Sequence, residues 1–263
     1  MRALYAVFRM RFREELRYRG AVIGGVICQT FFGLILIAVY RALYDTRPQT
    51  QPLQDVVTYV WLQQGFFRMM LSFDGELTEK IRSGGIAYDL CRPLNTYAYY
   101  CTRGMAQKVT GSLLRSVPMM MIAVLLPDGW GLRAPVSAPA LFCALLSLFC
   151  GLLCVCALDM ISNGFTLLTL DGRGIQSLLN LLMMTFSGNI LPLTLFPDRW
   201  QGVIRVLPYA QLLDAPIRIY TGSQSLSGVP AIWGLQLAWT CVLTACGLLL
   251  WNVNRKRLVL QGG

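Results

Sequence analysis

The sequence contains no histidine, and charged side chains of either sign are scarce. They make up 14% of the 263 residues, whereas soluble domains usually carry about one quarter. Without histidine the chain lacks the usual general base at neutral pH and the commonest metal ligand. The sequence also offers no cluster of nucleophiles and carboxylates of the kind that a membrane enzyme would need. We therefore expect no enzymatic activity, no catalytic residues and no metal site in this chain.

A nucleotide-binding P-loop is absent as well. That motif requires a glycine immediately before its lysine, because the glycine-rich loop must wrap closely around the phosphates. The chain has three lysines, and they follow a glutamate, a glutamine and an arginine. We therefore expect this chain to hold no cofactor. Any ATP and Mg²⁺ on which it depends are expected to be bound by a partner subunit.

Apolar sequence is what the chain has in abundance. Hydrophobic residues make up 55% of it, and the mean hydropathy is +0.53. They are concentrated in runs of roughly 20 residues, the length that crosses about 30 Å of hydrocarbon as a helix. We place six spans near residues 20–42, 53–73, 97–126, 138–162, 173–192 and 229–252. The sequence therefore predicts an all-α integral membrane protein in which residues 1–263 form a single transmembrane domain.

Residues 1–19 predict an amphipathic helix at the membrane surface. Its aromatic and aliphatic side chains, among them Phe8 and Phe12, share one face, and arginines occupy the next. This pattern is typical of a helix that lies in the headgroup plane with its arginines near anionic lipid. A nucleic-acid-binding arm is the alternative, but the aromatic face fits a bilayer better. We expect the lipid bilayer, and no nucleic acid, as the partner of this helix.

The distribution of arginine and lysine predicts the orientation. Positively charged residues are enriched in the cytoplasmic loops of membrane proteins. With the N-terminus inside, fifteen of them lie in the inner segments and six in the outer segments. This asymmetry predicts that both termini lie in the cytoplasm.

Residues 74–94, between the second and third spans, form a polar segment that a membrane crossing does not need. It reads ELTEKIRSGGIAYDLCRP from Glu76 to Pro93. Glu76 near the start of a helix, with Lys80 and Arg82 near its end, suits the helix dipole. Because the charge distribution places this segment in the cytoplasm, we interpret it as a docking element for a soluble partner. A solvated loop is the alternative interpretation.

Two glycines follow this predicted helix. Gly84 suits the C′ position, which favours a left-handed backbone conformation, and Gly85 frees the chain to turn. After them the sequence offers an apolar surface made of Ile86, Ala87, Tyr88 and Leu90. A plain loop would not need this succession of helix, hinge and apolar surface.

Residues 193–228 predict a different kind of segment on the outer side. Three prolines, Pro197, Pro208 and Pro216, divide it into short apolar pieces. None of these pieces is long enough to span a membrane. Irregular backbone at membrane depth must be surrounded by protein or water. We therefore interpret the pieces as interfacial or re-entrant helices at the outer face.

Three charged residues lie within or near the predicted spans, namely Arg68, Arg115 and Asp159. An arginine in the middle of a membrane costs on the order of 3 kcal/mol on insertion scales, so it usually faces a cavity or a charged partner. The three residues are therefore candidates for a translocation path. The alternative is a structural ion pair of Asp159 with Arg68 or Arg115.

These features together resemble the ABC-2-type exporter permeases, in particular a small six-span branch that includes viologen exporters. The resemblance covers nearly the whole chain. It rests on the basic amphipathic helix at residues 1–19 and on the six predicted spans. It also rests on the inner ELTEKIRSGGIAYDLCRPL segment and on the outer FSGNILPLTLFP and LPYAQLLDAPIRIYTG segments. It implies that residues 74–94 are a coupling helix region seated in a groove of an ATP-binding subunit, and that residues 193–228 supply outer re-entrant helices. The candidate coupling residues are Glu76, Lys80, Arg82, Gly84, Gly85 and Asp89.

The resemblance also implies a function and its partners. The chain would be the permease subunit of an ATP-driven exporter in the bacterial inner (cytoplasmic) membrane. It would work with a separate ABC ATP-binding subunit and with a second permease chain, either identical or different. Methionine-rich spans with few charges favour an amphipathic drug, peptide or lipid as the exported compound. A membrane channel or scaffold without ATP coupling is the alternative.

Overall fold

The computed structural model describes residues 2–17, 19–46, 51–70, 75–190 and 192–255. Within these ranges every regular element is helical and no strand is present, so the predicted all-α class is confirmed. In chain order the helices are α1 (Arg2–Glu15), α2 (Arg19–Thr46), α3 (Leu53–Met70), α4 (Gly75–Arg82), α5 (Ile86–Leu90), α6 (Thr96–Leu125), α7 (Ala138–Thr169), α8 (Arg173–Phe186), α9 (Asp198–Val206), α10 (Asp214–Thr221) and α11 (Val229–Asn254). Two short 3₁₀ turns occupy Leu193–Leu195 and Leu226–Gly228.

Four of the described helices, α2, α6, α7 and α11, are long and apolar enough to cross a membrane. They correspond to the first, third, fourth and sixth predicted spans. α3 and α8, which correspond to the second and fifth, do not meet the same criteria of length and composition. The described helices therefore establish four candidate spans in an integral membrane protein, and the six-span count stays a prediction.

α3 and α8 fall short for different reasons. α3 carries polar residues such as Gln63 and Gln64, but most of the helix is buried within the bundle, against α2, α6 and α10. A helix with protein on most sides has less need of an apolar surface. α8 has 14 residues, a rise of about 21 Å, and ends at Phe186 before a bend. The predicted span 53–73 and the segment 74–94 meet at residues 71–74, which lie outside the described residues.

α7 and α11 run parallel and pack along their length. Gln236 of α11 donates to the carbonyl of Ser147 (3.1 Å), and Asn254 donates to the carbonyl of Gly164 (2.8 Å). Gly164 lets the two helices approach closely, since a Cβ there would lie 2.8 Å from the Cβ of Leu250. In a bilayer, where apolar burial gives little drive between helices, small residues and polar bonds of this kind hold them together.

The bundle has two distinct ends. At the first, α4 and α5 meet the start of α6 and the end of α11, where the rings of Tyr97 and Trp251 lie 6.2 Å apart. At the second, the loop after α6 meets α3, and the indole N–H of Trp61 donates to the carbonyl of Trp130 (2.7 Å). We refer to them as the α4 end and the far end.

α1 is the amphipathic helix that the sequence predicts, and it packs along α6. Phe12 lines a cleft together with Leu113, Val117 and Pro118 of α6. Within α1 no residue is fully buried, and its arginines at positions 2, 9 and 13 are exposed. One side of the helix is therefore left for other contacts, and its position in the headgroup plane stays a prediction.

The segment between α8 and α11 turns back into the bundle. α10 starts beside the middle of α7, where a Cβ at Gly151 would lie 2.8 Å from the carbonyl oxygen of Leu212. α10 ends at the far end, where the amide of Val136 donates to the carbonyl of Tyr220 (3.3 Å). α9 and α10 have nine and eight residues, too few to span a membrane. This geometry agrees with the re-entrant interpretation of residues 193–228, whose place relative to a membrane stays a prediction.

Candidate functional site

α4 and α5 form a compact element at the α4 end of the bundle. Leu77 and Ile81 are spaced by four residues, so they share one face of α4, and both are buried. Ile86, at the start of α5, is buried as well. The three side chains pack in one cluster with Tyr97 of α6 and Trp251 of α11. The element is therefore anchored to the bundle by its apolar side.

Asp89 in α5 is buried and forms the centre of a hydrogen-bond network. It accepts from Lys80 Nζ (2.9 Å) and from the hydroxyl of Tyr100 (2.6 Å), and the guanidinium of Arg92 lies 3.4 Å away. Burial raises the pKa of the Asp89 carboxyl, but the two hydrogen bonds and the neighbouring positive charges outweigh burial and hold its pKa below the usual value. Asp89 is therefore a carboxylate at neutral pH, and it ties α4, α5 and α6 together.

Glu76 also bonds towards the bundle. It forms ion pairs with Arg103 of α6 and with Lys80, whose Nζ lies 3.7 Å from Glu76 Oε1. Arg103 is buried, so this bond reaches into the packed part of the molecule. Three of the candidate coupling residues, Glu76, Lys80 and Asp89, therefore hold the α4–α5 element on α6.

The two glycines between α4 and α5 have different roles. Gly84 has φ +74°, the left-handed conformation predicted for a C′ residue, and its Cβ position lies in open space. Gly85 has φ −61°, which any residue adopts. The turn therefore depends on Gly84. The backbone angles of Gly85 do not support the hinge role that the sequence suggests for it.

Gly84→Ala is expected to destabilise the folded protein by about 1–2 kcal/mol, because a Cβ in the left-handed region crowds the following carbonyl oxygen. The matched control is Gly85→Ala, whose added Cβ would make only ordinary contact with Ser83. This control is expected to change stability by less than about 0.5 kcal/mol. Thermal unfolding of both purified variants beside the wild type measures the difference. Equal unfolding temperatures for the two variants would show that position 84 does not require glycine.

The exposed side of the element forms a surface that we refer to as the docking face, which consists of Glu79, Arg82, Ser83, Tyr88 and Arg92. Of the candidate coupling residues, Arg82 lies here, 3.8 Å from the carboxylate of Glu79. The predicted apolar surface is smaller than expected, because Ile86 is buried in the bundle. Tyr88, which is 80% exposed, is its main remnant. The docking face is therefore a charged surface with one prominent aromatic side chain.

Lys108 and Asp159 form a buried ion pair between α6 and α7. Lys108 Nζ lies 2.9 Å from Asp159 Oδ2, and Lys108 is 0% exposed. Lys108 also donates to the carbonyl of Met69 (3.4 Å), so α3 meets the same charge. Arg68 and Arg115 are the partners that the sequence suggests for Asp159 if it forms a structural ion pair, and the structure adds Lys108 as a partner that the sequence does not single out. The location of this lysine inside the third predicted span is the signal that indicates a buried role.

Arg68 and Arg115, the other candidate path residues, lie on α3 and α6, and each rests against a glycine of a neighbouring helix. A Cβ at Gly111 would lie 3.2 Å from Arg68 Cγ, and one at Gly25 would lie 2.8 Å from Arg115 Cζ. Gly25 belongs to the second turn of α2, near the α4 end. Arg115 also lies close enough to Arg68 and to Glu15 to interact electrostatically with both. The structure thus brings Arg68 and Arg115 together.

A fully buried network, which the sequence does not single out, joins α10 to α3. Asp214 accepts from Arg218 Nε (2.7 Å) and from the hydroxyl of Tyr59 (3.2 Å), and all three residues are buried. Arg218 also donates to Gln224 Oε1 (3.0 Å), and Gly188 packs against the Tyr59 hydroxyl. The signal that could have found this network is the four-residue spacing of Asp214 and Arg218 within an apolar segment.

A protein-family model described as "ABC-2 family transporter protein" matches residues 25–262 of the chain. No curated protein matches it significantly. The matched region contains the α4–α5 element, the ion pair of Lys108 with Asp159 and the network around Asp214. Because it covers most of the chain, the resemblance to ABC-2-type permeases is confirmed, while the viologen-exporter branch stays a prediction. This multi-pass integral membrane protein belongs to the ABC-2 transporter family.

Proposed function

We propose that this chain is the permease subunit of an ATP-driven exporter, which moves an amphipathic compound out of the cytoplasm. The observation that carries the proposal is the α4–α5 element, whose apolar and hydrogen-bonded side is fixed to the bundle while its charged side is exposed. Membership of the ABC-2 family implies in general an ABC ATP-binding partner, and this chain has no P-loop of its own. An anchored element with an exposed face is what such a partner needs in order to move transmembrane helices.

The anchoring contacts connect the docking face to three long helices. Ile81 shares a cluster with Met160 of α7 and Trp251 of α11. Asp89 accepts a hydrogen bond from Tyr100 of α6. A partner that displaces α4 therefore displaces the ends of α6, α7 and α11 with it. Alternating access of this kind needs two packings of the bundle, each favoured by a different nucleotide state of the partner.

In this proposal α3 and α8 complete a set of six membrane crossings. The 18 residues of α3 rise about 27 Å, close to the thickness of the hydrocarbon core. The start of α3 lies at the far end, where Asp55 is 3.7 Å from Arg133, and its end lies beside Lys108, which donates to the Met69 carbonyl. The α4 end and both termini then face the cytoplasm of a bacterial inner membrane.

A second permease chain, identical or different, completes the transporter in this proposal. α2 and α11 are the least covered of the four candidate spans, with 22% and 17% of an apolar 18-residue window buried within this chain. The uncovered apolar surface needs lipid or another membrane helix beside it. A pair of permease chains would cover part of this surface and present one docking face to each of two ATP-binding subunits.

The double substitution Arg82→Glu/Tyr88→Ala is expected to release the ATP-binding subunit from the complex. Both side chains are exposed on the docking face, so their loss leaves the packing of the chain unchanged. Arginine and tyrosine are among the residues that most often carry interface energy, about 2 kcal/mol or more at a hot spot. We expect the amount of ATPase that co-purifies with the tagged chain from native membranes to fall at least about tenfold.

Arg199→Glu is the matched control, because Arg199 is an exposed arginine on α9, outside the docking element. It changes the net charge by the same amount and is expected to keep the ATP-binding subunit. If the wild-type chain itself purifies from native membranes without an ATPase, the exporter assignment is wrong. A channel or scaffold without ATP coupling would then take its place.

A further inference from the structure

α6 and α7 meet in the half of the bundle nearer to the α4 end. There Met105 of α6 packs in one cluster with Cys156 of α7, beside the ion pair of Lys108 with Asp159. In the other half of the bundle, α10 lies against both α3 and α7. A crevice remains between α6 and α7 in this half, and α10 forms part of its floor. We refer to this space as the α6–α7 crevice.

Apolar side chains line the α6–α7 crevice. Leu62 of α3, Ala144 of α7 and Ile217 of α10 form its floor and are buried. Leu141 and Leu145 of α7 line its edge and are exposed. The volume of the crevice is about 90 Å³. Since one water-sized group needs about 10–15 Å³, several methylene groups fit into it. The crevice is therefore an apolar site that opens at the surface of the bundle.

The surface around the crevice faces the bilayer. Its two edges belong to α6 and α7, which are both candidate spans. On the α6 side, Met121 and Val124 continue the apolar surface, and each is 64% exposed. Lipid tails are as apolar as leucine, so apolar burial alone does not favour one part of such a surface over another. A chain that fills a crevice gains van der Waals contacts on several sides, which a flat surface does not offer. The crevice therefore favours an acyl chain.

The crevice has a polar boundary at the far end. The ring of Tyr220 lines the crevice, and the Tyr220 hydroxyl donates to the carbonyl of Arg133 (3.1 Å). The side chain of Arg133 is 64% exposed, and its guanidinium lies 3.7 Å from the carboxylate of Asp55. An exposed ion pair of this kind contributes little to stability, so the guanidinium keeps donors for a phosphate group. The boundary thus offers a positive charge to the phosphate of a lipid.

The depth of the crevice suits an extended chain. Leu141 and Leu148 both line it and are seven residues apart on α7, a rise of about 10 Å. Leu141 is in the first turn of α7, which starts at the far end, and Leu148 lies deeper in the bundle. An acyl chain that begins near Arg133 therefore extends along α7 to Leu148.

We propose that the α6–α7 crevice binds one acyl chain of a bilayer phospholipid, whose phosphate lies beside Arg133. The proposal goes beyond the proposed function, because it needs only the position of the chain in a bilayer. It also has a consequence for α10. Ile217 of this helix faces the crevice, while Asp214 and Arg218 belong to the buried network with Tyr59. A bound acyl chain therefore covers the apolar side of the helix that carries this network.

Photolabelling locates the acyl chain directly. The probe is a phosphatidylcholine that carries a diazirine near the end of one acyl chain. The full chain is irradiated in nanodiscs that contain this probe, and the labelled residues are identified by mass spectrometry. We expect more label on Ile217 and Leu148 than on Phe31 of α2, which is 62% exposed and reports ordinary contact with lipid. Label that is confined to exposed faces such as that of Phe31 would overturn the proposal.

Ala144→Phe is the sharpest variant, because its ring would fill the crevice from the floor. The label on Ile217 is expected to fall at least about tenfold. Ala238→Phe is the matched control, since it makes the same substitution at an exposed position of α11. This control is expected to be labelled like the wild type. Unchanged label on Ile217 in the Ala144→Phe variant would show that no acyl chain occupies the crevice.

Arg133→Gln tests the phosphate contact at an exposed position, so it is decisive even if Ala144→Phe does not fold. The label on Ile217 is expected to fall about threefold, the effect of losing an exposed charge pair. Arg133→Lys keeps the charge and is expected to retain most of the label. Arg199→Gln, at an exposed arginine on α9, is the matched control. Equal label in Arg133→Gln and the wild type would overturn the proposed position of the phosphate.

The number of copies in each nanodisc distinguishes a lipid from a protein occupant. Label on Ile217 that is the same with one copy and with two copies of the chain supports the acyl chain. Loss of this label in nanodiscs with two copies would identify a second permease chain as the occupant and overturn the proposal. All labelling is measured without the ATP-binding subunit, so its outcome is independent of the co-purification test of the permease assignment.

Discussion

Asp214→Ala is expected to destabilise the folded protein by about 3–5 kcal/mol, because it leaves the guanidinium of Arg218 buried without its carboxylate. Asp214 is 0% exposed and accepts from Arg218 at 2.7 Å and from Tyr59 at 3.2 Å. Its removal therefore orphans two buried donors at once. A loss of this size corresponds to a fall of roughly 5–15 °C in unfolding temperature.

The chain carries its own reporter for this measurement. Cys154 and Cys156 of α7 are buried free thiols, whereas others such as Cys28 and Cys241 are exposed. After the exposed thiols are blocked, a thiol-reactive fluorophore labels the buried ones only when the bundle opens. The temperature of labelling then reports unfolding. Asp128→Ala, at an exposed aspartate in the loop after α6, is the matched control and is expected to stay within about 0.5 kcal/mol of the wild type.

A second variant separates the charge from the packing around it. Asp214→Ala/Arg218→Met removes both charges, and such double replacements are often nearly neutral where single ones are strongly destabilising. We therefore expect the double variant to recover most of the lost unfolding temperature. If it unfolds as early as Asp214→Ala, the instability comes from lost packing of α10 on α3, and the ion pair is not its cause.

The local chemistry of the α4–α5 element could be predicted from the sequence. The left-handed turn at Gly84 follows from its position after a short helix. The ion pair between Glu76 and Lys80 follows from their four-residue spacing on α4. Both effects act between residues only a few positions apart. A one-dimensional pattern is therefore sufficient to predict them.

The long-range pairings could not be predicted in the same way. A charge in an apolar run indicates that some partner or cavity is needed, but it does not say which one. An arginine on α3 or α6 is one possible partner for Asp159, but only the packing of α6 on α7 shows that Lys108 lies beside it. Likewise Asp214 meets Tyr59 only because α10 turns back into the bundle beside α3. Which residues pair is therefore decided by the packing of helices that are distant in sequence.

Membrane spans show the same dependence on surroundings. Hydropathy predicts α2 and α7 well, because it assumes that lipid surrounds a spanning helix. α3 lies between other helices, so its glutamines face protein and its composition no longer resembles that of a helix in lipid. Its length and apolar pattern are readable from the sequence, but its burial is not.

Asp159→Leu is expected to have the second large effect, again about 3–5 kcal/mol, because Lys108 stays behind in the bundle without its carboxylate. The Lys108 ammonium is 0% exposed, and the Met69 carbonyl 3.4 Å away is a neutral acceptor that cannot replace a charge. The same thiol-labelling measurement applies. An unfolding temperature equal to that of the wild type would show that Lys108 has shifted to other partners, and that the pair does not hold α6 on α7.

Lys108→Met/Asp159→Leu decides between a structural ion pair and a step in the translocation path. Both side chains are replaced by apolar ones of similar volume, so we expect stability within about 1 kcal/mol of the wild type. We also expect the ATPase rate and export by the complex, purified with its ATP-binding subunit, to be retained, because a fully buried and paired lysine offers no free charge to a passing compound. A stable double variant that has lost export would instead place the pair in the path. Since this variant matches the wild type in stability, such a loss could come only from the missing charges.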